Sequence, residues 1–179
     1  MKNFKPYTST RRHVVLSNKE HLWKGASEKS LTKKYIAKAG RNNAGRITSR
    51  HRGGGHKKKY RIIDFKRTKF DIPASVIHIE YDPIRTARIA LIEYDDKTKS
   101  YIIAPDKLKI GDTVISGEKV NIRIGNSLPL KNIPIGTVLH NIEMKPGKGA
   151  QIARSAGASV NLLAIDSGKA IIKLSSGRS

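Results

Sequence analysis

The stretch Arg41 to Arg61, RNNAGRITSRHRGGGHKKKYR, constrains this chain more than any other. From Arg41 to Lys59 it holds seven basic residues (Arg41, Arg46, Arg50, Arg52, Lys57, Lys58, Lys59), two histidines (His51, His56) and no acid. Gly53, Gly54 and Gly55 sit in its middle. Like charges repel and there is almost nothing apolar to bury, so such a segment is not expected to collapse on itself. Something outside the chain must neutralise it, and the densest available polyanion is nucleic acid. The glycines let the backbone approach a phosphate or ribose closely and adopt φ > 0. Asn42 and Asn43 add neutral donors for sugar and base edges. The plainer reading is a disordered basic tail or a nuclear-localisation patch. Against it, Asn, Gly and Ile are interspersed and the segment runs straight into a strand pattern, which favours structured nucleic-acid contact through this arm and the adjoining Arg61.

The charge is unevenly spread. Lys and Arg total 36 against 14 Asp and Glu, a net charge of +22. Residues 1–60 carry 17 of the basic residues and only 2 acids. The first third therefore reads as an arm and the remainder as a globular body with a basic surface. Self-repulsion of this size favours order against a partner. There is no cysteine, which excludes disulfides and thiolate metal sites. No apolar run approaches the ~20 residues of a membrane span. The start, MKNFKPYTSTRRHVVL, lacks a signal-peptide core with a small-residue cleavage site. Pro6 and the Val14-Val15-Leu16 run argue against an amphipathic presequence helix.

Val14 to Leu16 can form one short strand, and Leu22-Trp23 is an apolar island among lysines. For Trp23, local packing competes with stacking on a base, which usually needs several aromatics on a platform. Lys29 to Ala39 suggests a helical turn or two. From Tyr60 the pattern becomes period two: Tyr60–Phe65, Ser75–Tyr81, Arg88–Tyr94, Ser100–Ala104, Gly111–Ile115 and Val120–Ile124 read as strands. In Ser75–Tyr81 the alternation sets Ile77, Ile79 and Tyr81 against Val76, His78 and Glu80. Short strands at this spacing, with Gly, Pro and Asp turns, predict an all-β chain with a small closed barrel of the oligonucleotide-binding type. After Leu128-Pro129 a second β unit begins, with Thr137–Met144 and a hairpin of Ala158–Ile165 and Lys169–Leu174 across Asp166-Ser167-Gly168. Its few strands are too few to close a barrel, and its open apolar edge calls for a cover. The expected organisation is a basic arm over residues 1–59, a barrel over 60–126 and a partial barrel over 127–179.

Four further constellations bear on function. Asp82-Pro83-Ile84-Arg85 puts an arginine at a turn, with Arg88 just after; it reads equally as a solvated loop charge or as a rigidly presented guanidinium for phosphate or guanine. Lys145-Pro146-Gly147-Lys148-Gly149 followed by Arg154 spaces cations among small residues, which suits an RNA backbone better than a core. It lacks the G-x-x-x-x-G-K-[ST] phosphate loop. His51 and His56 have neither cysteine nor nearby carboxylates for a metal site; amid the surrounding positive charge, donation to RNA phosphate is their simpler reading. His78 and His140 lie in strand patterns and read as ordinary sheet residues. No paired carboxylates, nucleophile elbow or dinucleotide fingerprint is present, so no cofactor is expected. Aromatics are only 6%, which points to structured RNA read through phosphates, 2′-hydroxyls and shape.

The arm motif from Gly40 to Arg67 resembles the L2 family of large-subunit ribosomal proteins. So do Ile79-Glu-Tyr-Asp-Pro83, Tyr101-Ile-Ile-Ala-Pro105, His140-Asn-Ile-Glu-Met-Lys-Pro-Gly147 and Ala153-Arg-Ser-Ala-Gly157. The resemblance runs from about Phe4 to Gly177. It implies an oligonucleotide-binding-type barrel followed by an SH3-like barrel, with large-subunit rRNA and neighbouring ribosomal proteins as partners. It further implies primary rRNA binding near the peptidyl-transferase region and a part in subunit association. Arg85 and Arg154 align with two arginines that the family links to rRNA binding. Ile84 stands where Asn is usual, and Ala150 replaces a glycine. The chain stops where the family continues, so a truncated or split member is expected, with a second chain supplying the remaining strands. Richness in Ile, Lys and Asn suggests an organellar genome and a mitochondrion, with bacterial cytoplasm or plastid as alternatives. The expected function is structural; the competing one is an RNA-processing enzyme using His51 and His56 as acid and base.

Overall fold

The computed structural model describes residues 2–177. The first residue of the expected arm and the last two of the expected second barrel lie outside them. Among the described residues eleven strands run in order: β1 (Lys2–Asn3), β2 (Val15–Leu16), β3 (Thr32–Lys34), β4 (Lys59–Arg61), β5 (Ala74–Glu80), β6 (Ile89–Tyr94), β7 (Lys99–Ile103), β8 (Thr113–Val114), β9 (Val138–Leu139), β10 (Val160–Asp166) and β11 (Lys169–Leu174). The helices are a single turn, α1 (Ser9–Arg12), and a 3-10 turn at Leu130–Asn132. The architecture is all-β, an oligonucleotide-binding-type unit followed by an SH3-like one.

The central sheet has the order β7-β6-β5-β8, all antiparallel. It is buried on both faces. One face carries Ala90, Ile92, Tyr94 and Ile102, closed by Leu108 and Val114. The other carries Ile89, Leu91, Tyr101 and Ile103, covered by Leu31, Ile63 and Phe65. A β-bulge between Val76 and His78 shifts the register of β5. Before it, Ala74 and Val76 face the first cluster; after it, Ile79 does, while Ile77 turns to the second. The strict alternation expected for Ser75–Tyr81 therefore breaks at Ile77, because an inserted residue reverses the facing of those beyond it.

The second face is covered by residues 18–34, which lie across it as a strap. Leu22 is buried and the Trp23 amide donates to the Ile79 carbonyl at 2.8 Å. The indole stacks on His78, with ring centroids 4.6 Å apart, so local packing accounts for Trp23. The Tyr101 hydroxyl accepts from the Glu28 amide (3.0 Å) and donates to the buried Glu80 carboxylate (2.7 Å), which also meets His78 at 2.8 Å. Burial, followed by its Glu80 contact, pushes the Tyr101 phenol well above its ordinary pKa. The helix expected within Lys29–Ala39 is instead β3, paired with β4 in the register Thr32↔Arg61 and Lys34↔Lys59. Tertiary pairing overrides weak local propensity there.

The strand expected over Tyr60–Phe65 ends at Arg61, with one further bridge from Ile63 to Tyr101. Val120–Ile124 is not a strand: its alternation lies in an irregular segment held by Asn126, which donates to the Asn121 carbonyl (2.8 Å) and accepts from the Ile115 amide (2.9 Å). The second sheet has the order β11-β10-β9. Its hairpin turns through Ser167 (φ 47°) and Gly168 (φ 75°), the paired positive φ of a tight two-residue turn. Val160 and Leu162 are buried in it, while Val138, Leu163 and Ile171 stay exposed.

Candidate nucleic-acid interface

Residues 35–58 form a loop tethered at both ends, because β3 and β4 zip its base. Every residue from Arg41 to Lys59 is exposed. Within the loop, residues 40–49 fold on themselves, contrary to the expectation that charge would keep the whole segment open. Arg41 bridges Ile47, the Asn42 amide donates to the Arg46 carbonyl (2.9 Å), and the Arg46 amide donates to the Asn42 side-chain oxygen (2.9 Å). The amides of Thr48 and Ser49 both donate to the Gly40 carbonyl. Gly40 has φ +71°, and a Cβ there would lie 2.0 Å from the Ser49 carbonyl oxygen, so glycine is what permits the closure. Backbone hydrogen bonds, not apolar burial, hold this fold, which is why charge pattern alone gives no hint of it. Gly53, Gly54 and Gly55 follow as an open segment leading to Lys57 and Lys58.

His51 takes φ 60°, and the His56 Nδ1 lies 3.1 Å from the Lys57 carbonyl. The two rings are not joined in one hydrogen-bonded pair. Among the described residues no group of three or more His, Cys, Asp or Glu could hold a metal ion. Arg61 is half-buried and donates to the Lys59 carbonyl at 2.9 Å.

A second cationic feature lies where the two units meet. Asp82 is fully buried; its carboxylate accepts from the Ile84 amide at 2.9 Å and from Arg85 Nε at 2.7 Å. The Arg85 guanidinium is 5.9 Å from the Tyr60 ring centroid and 6.0 Å from that of Phe65. Arg154 lies 4.8 Å from the same Phe65 centroid and donates to the Ala150 carbonyl. Phe65 is fixed by the backbone on either side of it. The Asp64 amide donates to the Tyr101 carbonyl (2.8 Å), and the Phe65 carbonyl accepts from the Ala150 amide (3.0 Å). The Ala156 amide donates to Thr86 Oγ1, adding a further tie between the units. So Arg85 and Arg154, far apart in sequence, both approach one aromatic ring. With a side chain only 16% exposed, Arg85 is a held guanidinium, not a solvated loop charge.

Arg88 goes elsewhere. Its guanidinium donates to the Asn18 carbonyl (3.1 Å) and contacts His21 Nε2, fastening the strap. The basic loop is organised by Glu143, whose two oxygens accept from the amides of Gly147 and Gly149, each at 2.8 Å. This turns Lys145 and Lys148 outward, both exposed. Behind the junction, Arg67 donates to Ser116 Oγ at 3.0 Å and lies beside Tyr94 and Asp64. Burial, then the Arg67 charge, holds the His140 pKa below its ordinary value. The parts that sequence reasoning missed are Phe65, Asp82, Glu143 and Arg67. Only Asp82 carried a signal, the Asp-Pro turn, and that marked a bend without its ion pair.

Residues 28–116 match the family described as Ribosomal Proteins L2, RNA binding N-terminal domain, and residues 123–179 match Ribosomal Proteins L2, C-terminal domain. Large ribosomal subunit protein uL2 of Rickettsia africae is 64% identical over 177 residues, covering 99% of this chain and 65% of that protein. The proteins of the same name from Rickettsia conorii and Rickettsia prowazekii are likewise 64% identical over the same shares. The chain thus spans about 65% of the length of these relatives.

Proposed function

The chain belongs to the ribosomal protein L2 family, and from that premise we propose that it is a structural, rRNA-binding constituent of the large ribosomal subunit. The observation that carries this reading is the pair of cationic features just described: a tethered loop of seven cations with no acid between Arg41 and Lys59, and the Arg85–Phe65–Arg154 junction. Arg41, Arg46, Arg50, Arg52, Lys57, Lys58, Lys59, Lys145 and Lys148 neutralise phosphates. Asn42 and Asn43 reach sugars, and Gly53, Gly54 and Gly55 allow close backbone approach. Arg85 and Arg154 grip one RNA segment together. Arg61 and Arg88 support the contact from behind by fixing β4 and the strap.

The reading extends to binding near the peptidyl-transferase region and to support of its assembly and of subunit association. Neighbouring ribosomal protein, or a further chain pairing with β11, covers the exposed Val138, Leu163 and Ile171. The compartment is the mitochondrion on grounds of composition. The bacterial origin of the relatives favours the bacterial cytoplasm as the competing placement, and detection in purified organelles separates the two.

The test is the salt dependence of binding to a large-subunit rRNA transcript. Replacing Lys57 and Lys58 by Gln lowers the log–log salt slope by about 0.7–0.9 per cation. An unchanged slope removes the arm from the interface. The enzyme alternative is checked with the free protein: RNA cleavage that disappears in the H51Q/H56Q double variant would establish it in place of a purely structural role.

A further inference from the structure

Resting on the rRNA reading above, we infer that the folded tip of the arm, Asn42 to Arg46, is a reader of the minor groove of base-paired RNA. Most of the loop offers the RNA charge and glycine. The tip offers shape. It is closed before any partner arrives, by the Asn42–Arg46 amide pair, by the Gly45 amide donating to the Asn42 carbonyl (3.1 Å), and by the Arg41–Ile47 bridge beneath them. A preformed element loses less conformational entropy on binding than the open glycine run beside it.

The residues at the tip select the kind of surface it fits. Asn43, Ala44 and Gly45 form a blunt end without a bulky side chain. Gly45 has φ +77°, and nothing lies within 4 Å of where its Cβ would be, so neighbouring backbone or sugar can approach there unhindered. No ring lies between Asn42 and Arg46 to stack on an unpaired base, the usual device for single strands. The tip is a tight turn whose two legs are joined by the single Arg41–Ile47 bridge, and two backbones held side by side about 5 Å apart are too broad for the deep, narrow major groove of A-form RNA. The minor groove is wide and shallow and displays 2′-hydroxyls, which suit the Asn43 amide and the exposed backbone of the tip. Arg41 and Arg46 flank the turn, where the two phosphate strands border that groove. The recognition is of duplex shape, with little dependence on base identity.

The chain has no cysteine, so Ala44→Cys creates a unique attachment point for an iron chelate that cleaves nearby ribose. Gln151→Cys, on the exposed loop near the Arg154 junction, provides the same probe at a distance from the tip. Each labelled full chain is bound to a large-subunit rRNA transcript and the cuts are mapped. The tip probe is expected to give paired cuts on the two strands of one helix, displaced toward their 3′ ends, as a source in the minor groove produces. Cuts displaced toward the 5′ ends, cuts confined to unpaired loops, or no cuts from the tip while the junction probe still cuts would overturn the inference and leave the rRNA reading standing. No cuts from either probe would remove both.

Discussion

The junction makes its sharpest demand on Asp82. This carboxylate is fully buried and holds two donors, the Ile84 amide and Arg85 Nε. Replacing it by Ala strands a backbone N–H and a guanidinium together. Removing one partner of a buried pair costs about 3–5 kcal/mol, and a hydrogen bond to a charged group is worth roughly 1.5–3 kcal/mol. Arg85 retains 16% side-chain exposure, so it can turn partly toward water, which sets the expectation at the low end, about 3 kcal/mol. For a chain of this size that corresponds to a fall in Tm of roughly 6–12 °C. Asp82→Asn keeps an oxygen for the Ile84 amide but loses the ionic partner, and is expected to cost about half as much. The measurement is urea unfolding of the single variants, of Arg85→Ala and of the D82A/R85A pair. Because the double variant no longer strands a cation, its loss must fall short of the sum of the singles by about 1 kcal/mol or more. Strict additivity, or a loss below about 1 kcal/mol for Asp82→Ala, would refute the view that Asp82 exists to hold Arg85.

Three other outcomes follow from the same geometry. Glu143→Ala removes a negative charge from a basic loop, so charge counting alone predicts tighter RNA binding; because Glu143 folds that loop through the Gly147 and Gly149 amides, weaker binding by several-fold is expected in a filter assay. Gly40→Ala sets a Cβ against the Ser49 carbonyl at positive φ, opening the arm tip, so RNA affinity falls and the Thr48 and Ser49 amide resonances shift, while the opening stays local and the unfolding midpoint of the barrel core is little changed. His140 is neutral in the fold, its pKa lowered by burial and by Arg67 from an ordinary value of 6.5. The unfolded chain therefore takes up that proton first on acidification. The His140 contribution to stability is complete above pH 6.5 and declines as pH falls from there toward the lowered native value, and His140→Gln flattens that part of the stability profile measured by denaturant titration.

The strands legible in the sequence are those whose side-chain period reports burial on a single sheet. β6 and β7 are found because their Ile, Leu and Tyr residues recur on both faces, and β10–β11 because a two-residue turn with glycine separates two apolar runs. Three features escaped. β3 is Thr-Lys-Lys, and only its partner β4, beyond the whole basic loop, makes it a strand. Val120–Ile124 alternates but has no neighbour to pair with, and Asn126 holds it as an irregular segment. The bulge at Ile77 reverses a facing that alternation alone cannot foresee. In the site, excess charge is visible in composition, whereas its organisation is not. Arg88 looks as free as Arg85, yet its partners lie in the strap, among residues with no pattern pointing to them.

The loop's attachment joins these observations into one physical account. A tail of this charge would have to be ordered from one end. Here the central sheet needs cover on its second face, and the strap that supplies it delivers the chain to β3, while Ile63 and Phe65 hold the chain just after β4 in the same apolar cluster. Burial in the barrel thus fixes both ends of residues 35–58, and the RNA has only the interior of a closed loop to order. The closure carries a fault, however: the last pair of the ladder sets Lys34 opposite Lys59. Like charges facing across a sheet destabilise it by a fraction of a kcal/mol. Without a polyanion the loop's mouth is its weakest pairing. With phosphates beside the two lysines that repulsion is screened, so the same contact that neutralises the arm also tightens its base.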